Sequence, residues 1–171
     1  MKNKLFKITN LPDLSNNVVQ TDTDRKFREM CLNYEYLIKD TLSILRFLLT
    51  TEIKKPLLIY NLLFLVELSL KFYLIKYSKI TLEEIENKGH DIVELIRLSN
   101  SINPKFTGLG ELLNVFKDKN NNCLNFKNYY DYKYNHKKGK EILILDFDID
   151  ENEKDNVKEV IEWIKYHMQI L

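Results

Sequence analysis

A chain of 171 residues with 44% apolar and 30% charged side chains has the make-up of an ordinary soluble globular protein, long enough for one domain to bury roughly two-thirds of its unfolded surface. Its net charge of +1 excludes a global field toward nucleic acid or anionic membrane, so any such attraction has to be local. Four glycines and three prolines are too few for a multi-turn β architecture and favour long helices.

Residues 1–21 are polar, Asn-rich and poorly periodic, and are expected to form an extended arm. The opening MKNKLFKITNLPDLSN lacks the continuous apolar stretch of a secretory signal. Cys31 and Cys123 lie far apart and match no metal spacing, so two free thiols in a reducing cytosol, hence a cytoplasmic location, are expected. "TDTDRKFREM" offers Thr23 or Asp24 as an N-cap. Phe27, Met30, Cys31, Tyr34, Leu37, Ile38, Leu45 and Leu48 then follow at helical spacing, predicting a helix over about 24–50. Pro56 is tolerated only in a first turn, which starts a second helix over about 56–77.

Within it, "PLLIYNLLFLVELSLKFYLI" (56–75) is long enough to span a membrane. Glu67 and Lys71 are spaced as a helical ion pair, and Asn61, Glu67 and Lys71 fall within an arc of about 120°. Charges at mid-span are costly in lipid, whereas a bundle helix needs only one wet stripe, so no membrane partner is expected.

Thr81 and Glu84 have capping-box spacing for a single short helical turn, and Gly89 suits the left-handed residue that ends it. A helix over about 90–101 is expected to bury Ile92, Leu95, Ile96 and Ile102. "NPKFTGLG" reads as a loop and "LGELLNVFK" as a short helix. "CLNFKNYYDYKY" and "EILILDFDID", joined by the turn "NHKKGK", read as a β-hairpin. The chain ends in an amphipathic helix with Val157, Val160, Ile161, Ile164 and Met168 on one face, its start capped by the Asp150/Glu153 pair. The fold class is therefore mainly α, a bundle of four to five helices with a small hairpin. Residues 1–21 form the arm and 22–125 the helical bundle, with the hairpin and C-terminal helix of 126–171 packed on the same domain.

An apolar helix carrying Glu67, Leu70 and Lys71, followed after a short spacer by Gly89, His90, Asp91, Ile92 and Leu95 at a helix start, resembles the HEPN superfamily. The likeness covers about residues 24–135, and the downstream "NFKNYYDYKY" is similar to the Arg/Lys-Tyr stretch of some members. It implies a helical bundle that dimerises and serves a bacterial defence or toxin–antitoxin type system, next to RNA, with an antitoxin or nucleotidyltransferase as a possible partner protein. Active members of the family cut RNA without metal through an Arg-x(4–6)-His motif. Here that motif is missing, because no arginine precedes a histidine at that distance. The nearest substitute is His90 with Arg97, reversed and two helical turns apart.

His90, Arg97 and Asp91 are thus the candidate catalytic residues. His90 would take a 2′-hydroxyl proton, and Arg97 or Lys88 would steady the phosphate charge. The plainer reading makes His90 and Asp91 a helix cap. For nucleic-acid binding the candidates are Lys88, Tyr132, Lys133, Tyr134, Lys137 and Lys138. Between Lys117 and Lys140, seven lysines face two aspartates, with Phe126, Tyr129, Tyr130, Tyr132 and Tyr134 interleaved, an arrangement suited to unpaired RNA. The alternative is that the tyrosines pack on the bundle and the lysines keep a hairpin edge soluble. Asp146, Asp148 and Asp150 share one face of the second run, but no EF-hand, Walker or dinucleotide pattern surrounds them, and neither metal nor cofactor is expected. A binding module without efficient cleavage is the leading expectation; a ribonuclease using His90 and a protein-docking scaffold are the alternatives.

Overall fold

The computed structural model describes residues 22–52, 55–78, 80–118, 121–124, 126 and 148–168. Six helices follow one another: α1 (Asp22–Leu49), α2 (Lys55–Tyr77), α3 (Leu82–Asn87), α4 (Ile92–Ile102), α5 (Phe106–Leu113) and α6 (Glu151–Met168). No strand occurs among the described residues, so the protein is mainly helical. The expected hairpin lies for the most part outside the described residues. So do the arm of residues 1–21 and the side chains of Thr23 and Asp24.

Helix α2 is the axis of the bundle, contacting α1, α3, α4 and α6, while α5 bridges α4 and α6. Its apolar residues run around the whole circumference, and Leu58, Ile59, Leu62, Leu65, Val66, Leu70 and Leu74 are all buried. A helix apolar on every side is stable only when enclosed, at a gain of about 1.5–3 kcal/mol per large side chain buried. By length and composition α2 could cross a membrane, yet 89% of its most apolar stretch is buried inside this fold.

The expected wet stripe on this helix is absent. Asn61, Glu67 and Lys71 are all buried, because each meets a polar partner inside the bundle. Asn61 donates to the Leu57 carbonyl at 2.8 Å, and Lys71 donates to Glu67. At the head of α2, Lys55 is also buried, its charge answered by Glu153 of α6.

The short α3 is capped as its spacing requires: Thr81 Oγ1 accepts from the Glu84 backbone, and the Glu84 carboxylate accepts from the Thr81 backbone at 2.8 Å. Gly89 follows at φ +58°, the left-handed conformation that turns the chain toward α4. Helix α4 starts at Ile92 rather than at residue 90, with the Asp91 carboxylate as its cap on Glu94 N. Ile92, Leu95 and Ser99 are its buried face, with Ile96 and Ile102 half-buried.

Helix α5 begins in the stretch that reads as a loop. Asn103 closes the turn, its side chain accepting from Lys105 N, and Pro104 and Lys105 lead directly into Phe106. Beyond α5 the chain doubles back: Lys117 and Cys123 form an antiparallel bridge, and Asn121 takes φ 63°. Phe126, one of the aromatics interleaved with lysines, is buried, and its carbonyl accepts from Ile92 N at 3.4 Å. Helix α6 then presents Val157, Val160, Ile161, Ile164 and Met168 to the core, capped at its start by reciprocal bonds between Asp150 and Glu153.

Candidate functional site

The histidine at the Gly89 turn comes to rest against the polar spot of the most apolar helix. His90 precedes the α4 cap, so its ring is not tied to the helix, and it reaches across to α2. There Nδ1 lies 2.9 Å from Glu67 Oε2 and 3.1 Å from Oε1. Lys71, one turn along α2, donates to Glu67 Oε1 at 2.7 Å. Glu67 is 3% exposed and the Lys71 side chain 9%, whereas the His90 side chain is 47% exposed. A buried carboxylate thus carries a buried ammonium on one side and a surface imidazole on the other. Burial of such a carboxylate is tolerable because both neighbours donate to it.

Tyr34 of α1 borders the same spot. Burial pushes its phenol pKa up, and the negative charges of Glu86 and Glu67 push it further. The acidity of this region is therefore felt from a third helix.

The remaining candidates on α4 go elsewhere. Arg97 is paired with Glu94 by two bonds, Nε–Oε2 at 2.7 Å and Nη2–Oε1 at 2.9 Å, and Lys88 approaches the same carboxylate at 3.5 Å. Hydrogen bonds from Arg97, then the charges of Arg97 and Lys88, hold the Glu94 carboxyl down to about 2. The same pairing raises the Arg97 pKa. With His90 outside α4, the two-turn spacing to Arg97 does not set them on one helical face, and each is engaged by a different carboxylate. Asp91 is the α4 cap. The structure therefore brings together His90, Glu67 and Lys71 on one side, and Arg97, Glu94 and Lys88 on the other.

Tyr132, Lys133, Tyr134, Lys137 and Lys138 lie outside the described residues, as does Asp146. Asp148 and Asp150 line an open cleft of about 460 Å³ with Lys55, Lys117, Asp118 and Glu153, so lysines stand among its carboxylates. Among the described residues no group of three or more His, Cys, Asp or Glu side chains is placed to hold a metal ion. Cys31 and Cys123 are both free thiols.

Sequence reasoning singled out His90 but missed the partner that defines its position. The available signal was a Glu-x-x-x-Lys pair inside an otherwise apolar helix, a place where charge is found only when something neutralises it. Compared with family models, curated proteins and solved structures, the chain matches none of them.

Proposed function

We propose that this chain is a HEPN-like helical module of a bacterial defence or toxin–antitoxin type system, and that it binds RNA without cutting it efficiently. The observation that carries the reading is the separation of the two catalytic candidates, His90 and Arg97. Metal-free cleavage needs a base for the 2′-hydroxyl and a cation for the phosphate at one point. Here the ring of His90 is bonded to Glu67 and the guanidinium of Arg97 to Glu94. Binding rests instead on the Lys- and Tyr-rich stretch between Lys117 and Lys140, whose lysines neutralise phosphates and whose rings stack on unpaired bases.

The test pairs two assays on the full chain. In a mixed RNA pool with EDTA present, neither the wild type nor His90→Ala is expected to produce fragments. In a filter or anisotropy assay the wild type is expected to bind RNA with an affinity that falls as salt rises. Neutralising Lys137 and Lys138 weakens that affinity and flattens its salt slope, and His90→Ala leaves it unchanged. Absence of any salt-dependent RNA affinity would sink the reading and leave a protein-docking scaffold.

A second reading, a metal-independent ribonuclease, draws on one specific observation. A carboxylate on Nδ1 is the arrangement that fixes an imidazole with Nε2 as its accepting nitrogen, and the ring is half-exposed. In that case wild-type cleavage disappears in a folded His90→Ala protein, and Glu67→Gln lowers kcat with little change in KM.

A further inference from the structure

Past α5 the chain turns back on itself between two buried anchors, Phe116 and Leu124. Leu124 N donates to the Phe116 carbonyl at 3.3 Å, and Asp118 N donates to the Asn122 carbonyl at 2.9 Å. Lys117 and Cys123 stand opposite each other between these two bonds. In an antiparallel pair that is the position without backbone bonds of its own, where facing side chains come closest. Here Lys117 Nζ lies 2.9 Å from Cys123 Sγ. The backbone therefore holds an amine against a thiol. Cys123 is exposed, so a small oxidant reaches its sulfur. Cys31 is half-buried, and burial, then the Glu35 carboxylate, raise its pKa and so reduce its reactive thiolate.

We propose that Lys117 and Cys123 are a peroxide-responsive pair that closes into a covalent sulfur–nitrogen bond when the thiol is oxidised. A hydroperoxide transfers one oxygen to the thiol, giving a sulfenic acid, and is itself reduced to water or an alcohol. The free amine of Lys117 then attacks that sulfur. The S–N bond forms, the S–O bond breaks, and the hydroxyl leaves as water with one amine proton. Thiol and amine have then each given up one hydrogen. The flexible four-carbon stem of the lysine lets the nitrogen close the remaining distance. A sulfenamide nitrogen is not protonated at neutral pH, so the bond removes one cation from the lysine-rich stretch. The bond goes beyond RNA binding and stands on the geometry of the pair, while its effect on RNA rests on the function proposed above.

Mass spectrometry of the full chain, intact and after trypsin, before and after hydrogen peroxide, tests it. The wild type is expected to lose two hydrogens, to resist trypsin after Lys117, and to show the Lys117 and Cys123 peptides joined. Dithiothreitol is expected to restore the starting mass. Cys31→Ser keeps the product, whereas Cys123→Ser abolishes it. Lys117→Arg retains the positive charge but not the nucleophilic amine, so its thiol is expected to gain oxygens instead. A wild type that only gains oxygens, or that joins two chains by a disulfide, overturns the proposal. A bond that survives Lys117→Arg overturns it as well, by placing the amine elsewhere. The closed form is expected to bind RNA with a log–log salt slope shallower by about 0.7, one phosphate contact on a single strand. A closed form that binds as the reduced chain does overturns the effect on RNA. A reduced chain with no RNA affinity overturns the RNA reading instead, and the mass change then still decides the bond.

Discussion

At Glu67 the energetic stakes are set by burial rather than by the strength of any one bond. Removing its carboxylate leaves the Lys71 ammonium enclosed with its opposite charge gone, a situation that costs about 3–5 kcal/mol. Glu67→Ala is therefore expected to lose about that much in urea unfolding, against about 1 kcal/mol for His90→Ala, whose ring is half in water. Glu67→Leu combined with Lys71→Met should recover most of the loss, because an apolar pair of similar volume needs no charge compensation. A loss below about 1 kcal/mol for Glu67→Ala alone would mean that water reaches the pair.

Glu94, at the surface, gives a pH dependence. Its folded pKa, about 2, lies below the ordinary 4.5, so it contributes stability above about pH 4.5 and loses that contribution as pH falls toward 2. Unfolding midpoints measured down the acid limb should show a small wild-type advantage over Arg97→Gln at neutral pH that vanishes near pH 2. Solvent screening keeps that advantage small.

These two sites also mark how far single residues can be read in the sequence. His90 stands out as a histidine directly beside glycine, and Asp91 as a capping residue. The bond from His90 to Glu67 spans 23 positions, and no periodicity encodes a contact between a turn and a helix at that separation.

At the scale of elements, local rules carry most of the way. The capping boxes at Thr81/Glu84 and Asp150/Glu153, the first-turn proline of α2 and the buried face of α6 are all written in spacings of three and four residues. Two elements escape those rules. "NPKFTGLG" reads as a loop with the short helix starting only at Leu109, yet α5 already begins at Phe106 and includes Gly108. There a Cβ at Gly108 would meet Trp163 Nε1 at 3.5 Å, an ordinary contact, so the helix does not depend on the glycine. The first helix reads as a single apolar stripe, but Phe27 and Leu37 are exposed because the core reaches only part of its length and circumference.

The glycines give a pair of opposite expectations. Gly110 is helical with open space around it, so Gly110→Ala should raise stability by about 0.5–1 kcal/mol through helix propensity. Gly89 also has open space but sits at φ +58°, so Gly89→Ala should lower stability by about 1–2 kcal/mol. Equal effects at the two sites in a thermal melt would contradict a left-handed Gly89 and a helical Gly110.

For the whole molecule, the question is whether six helices behave as one unit. The buried residues of α1, α2, α4, α5 and α6 form a single cluster. The first residue of α2 and the first turn of α6 are tied by the Lys55–Glu153 ion pair, and Lys105, at the start of α5, donates to the His167 carbonyl near the end of α6. That carbonyl lies in the last turn of α6, so the lysine both gives the group a partner and meets the negative end of the helix dipole.

The chain's single tryptophan lies at this junction. Trp163 meets Phe106 edge-on at 5.5 Å and stacks obliquely on His167 at 4.5 Å, so its emission reports whether α6 is docked on α5. Far-UV dichroism reports all six helices together. If the shared core governs, the two signals should fall at the same urea concentration and with the same slope, as a two-state domain requires. Among the described residues α6 is held mainly by the five apolar side chains of its inner face, Trp163 and the two lysine contacts, and it is separated in sequence from α5 by the 37 residues between Leu113 and Glu151. A tryptophan transition at clearly lower urea would mean that this helix opens first as its own unit while the α1–α5 bundle persists. Lys55→Met should then widen the gap between the two transitions, because it leaves the Glu153 carboxylate at the head of α6 without its ion-pair partner.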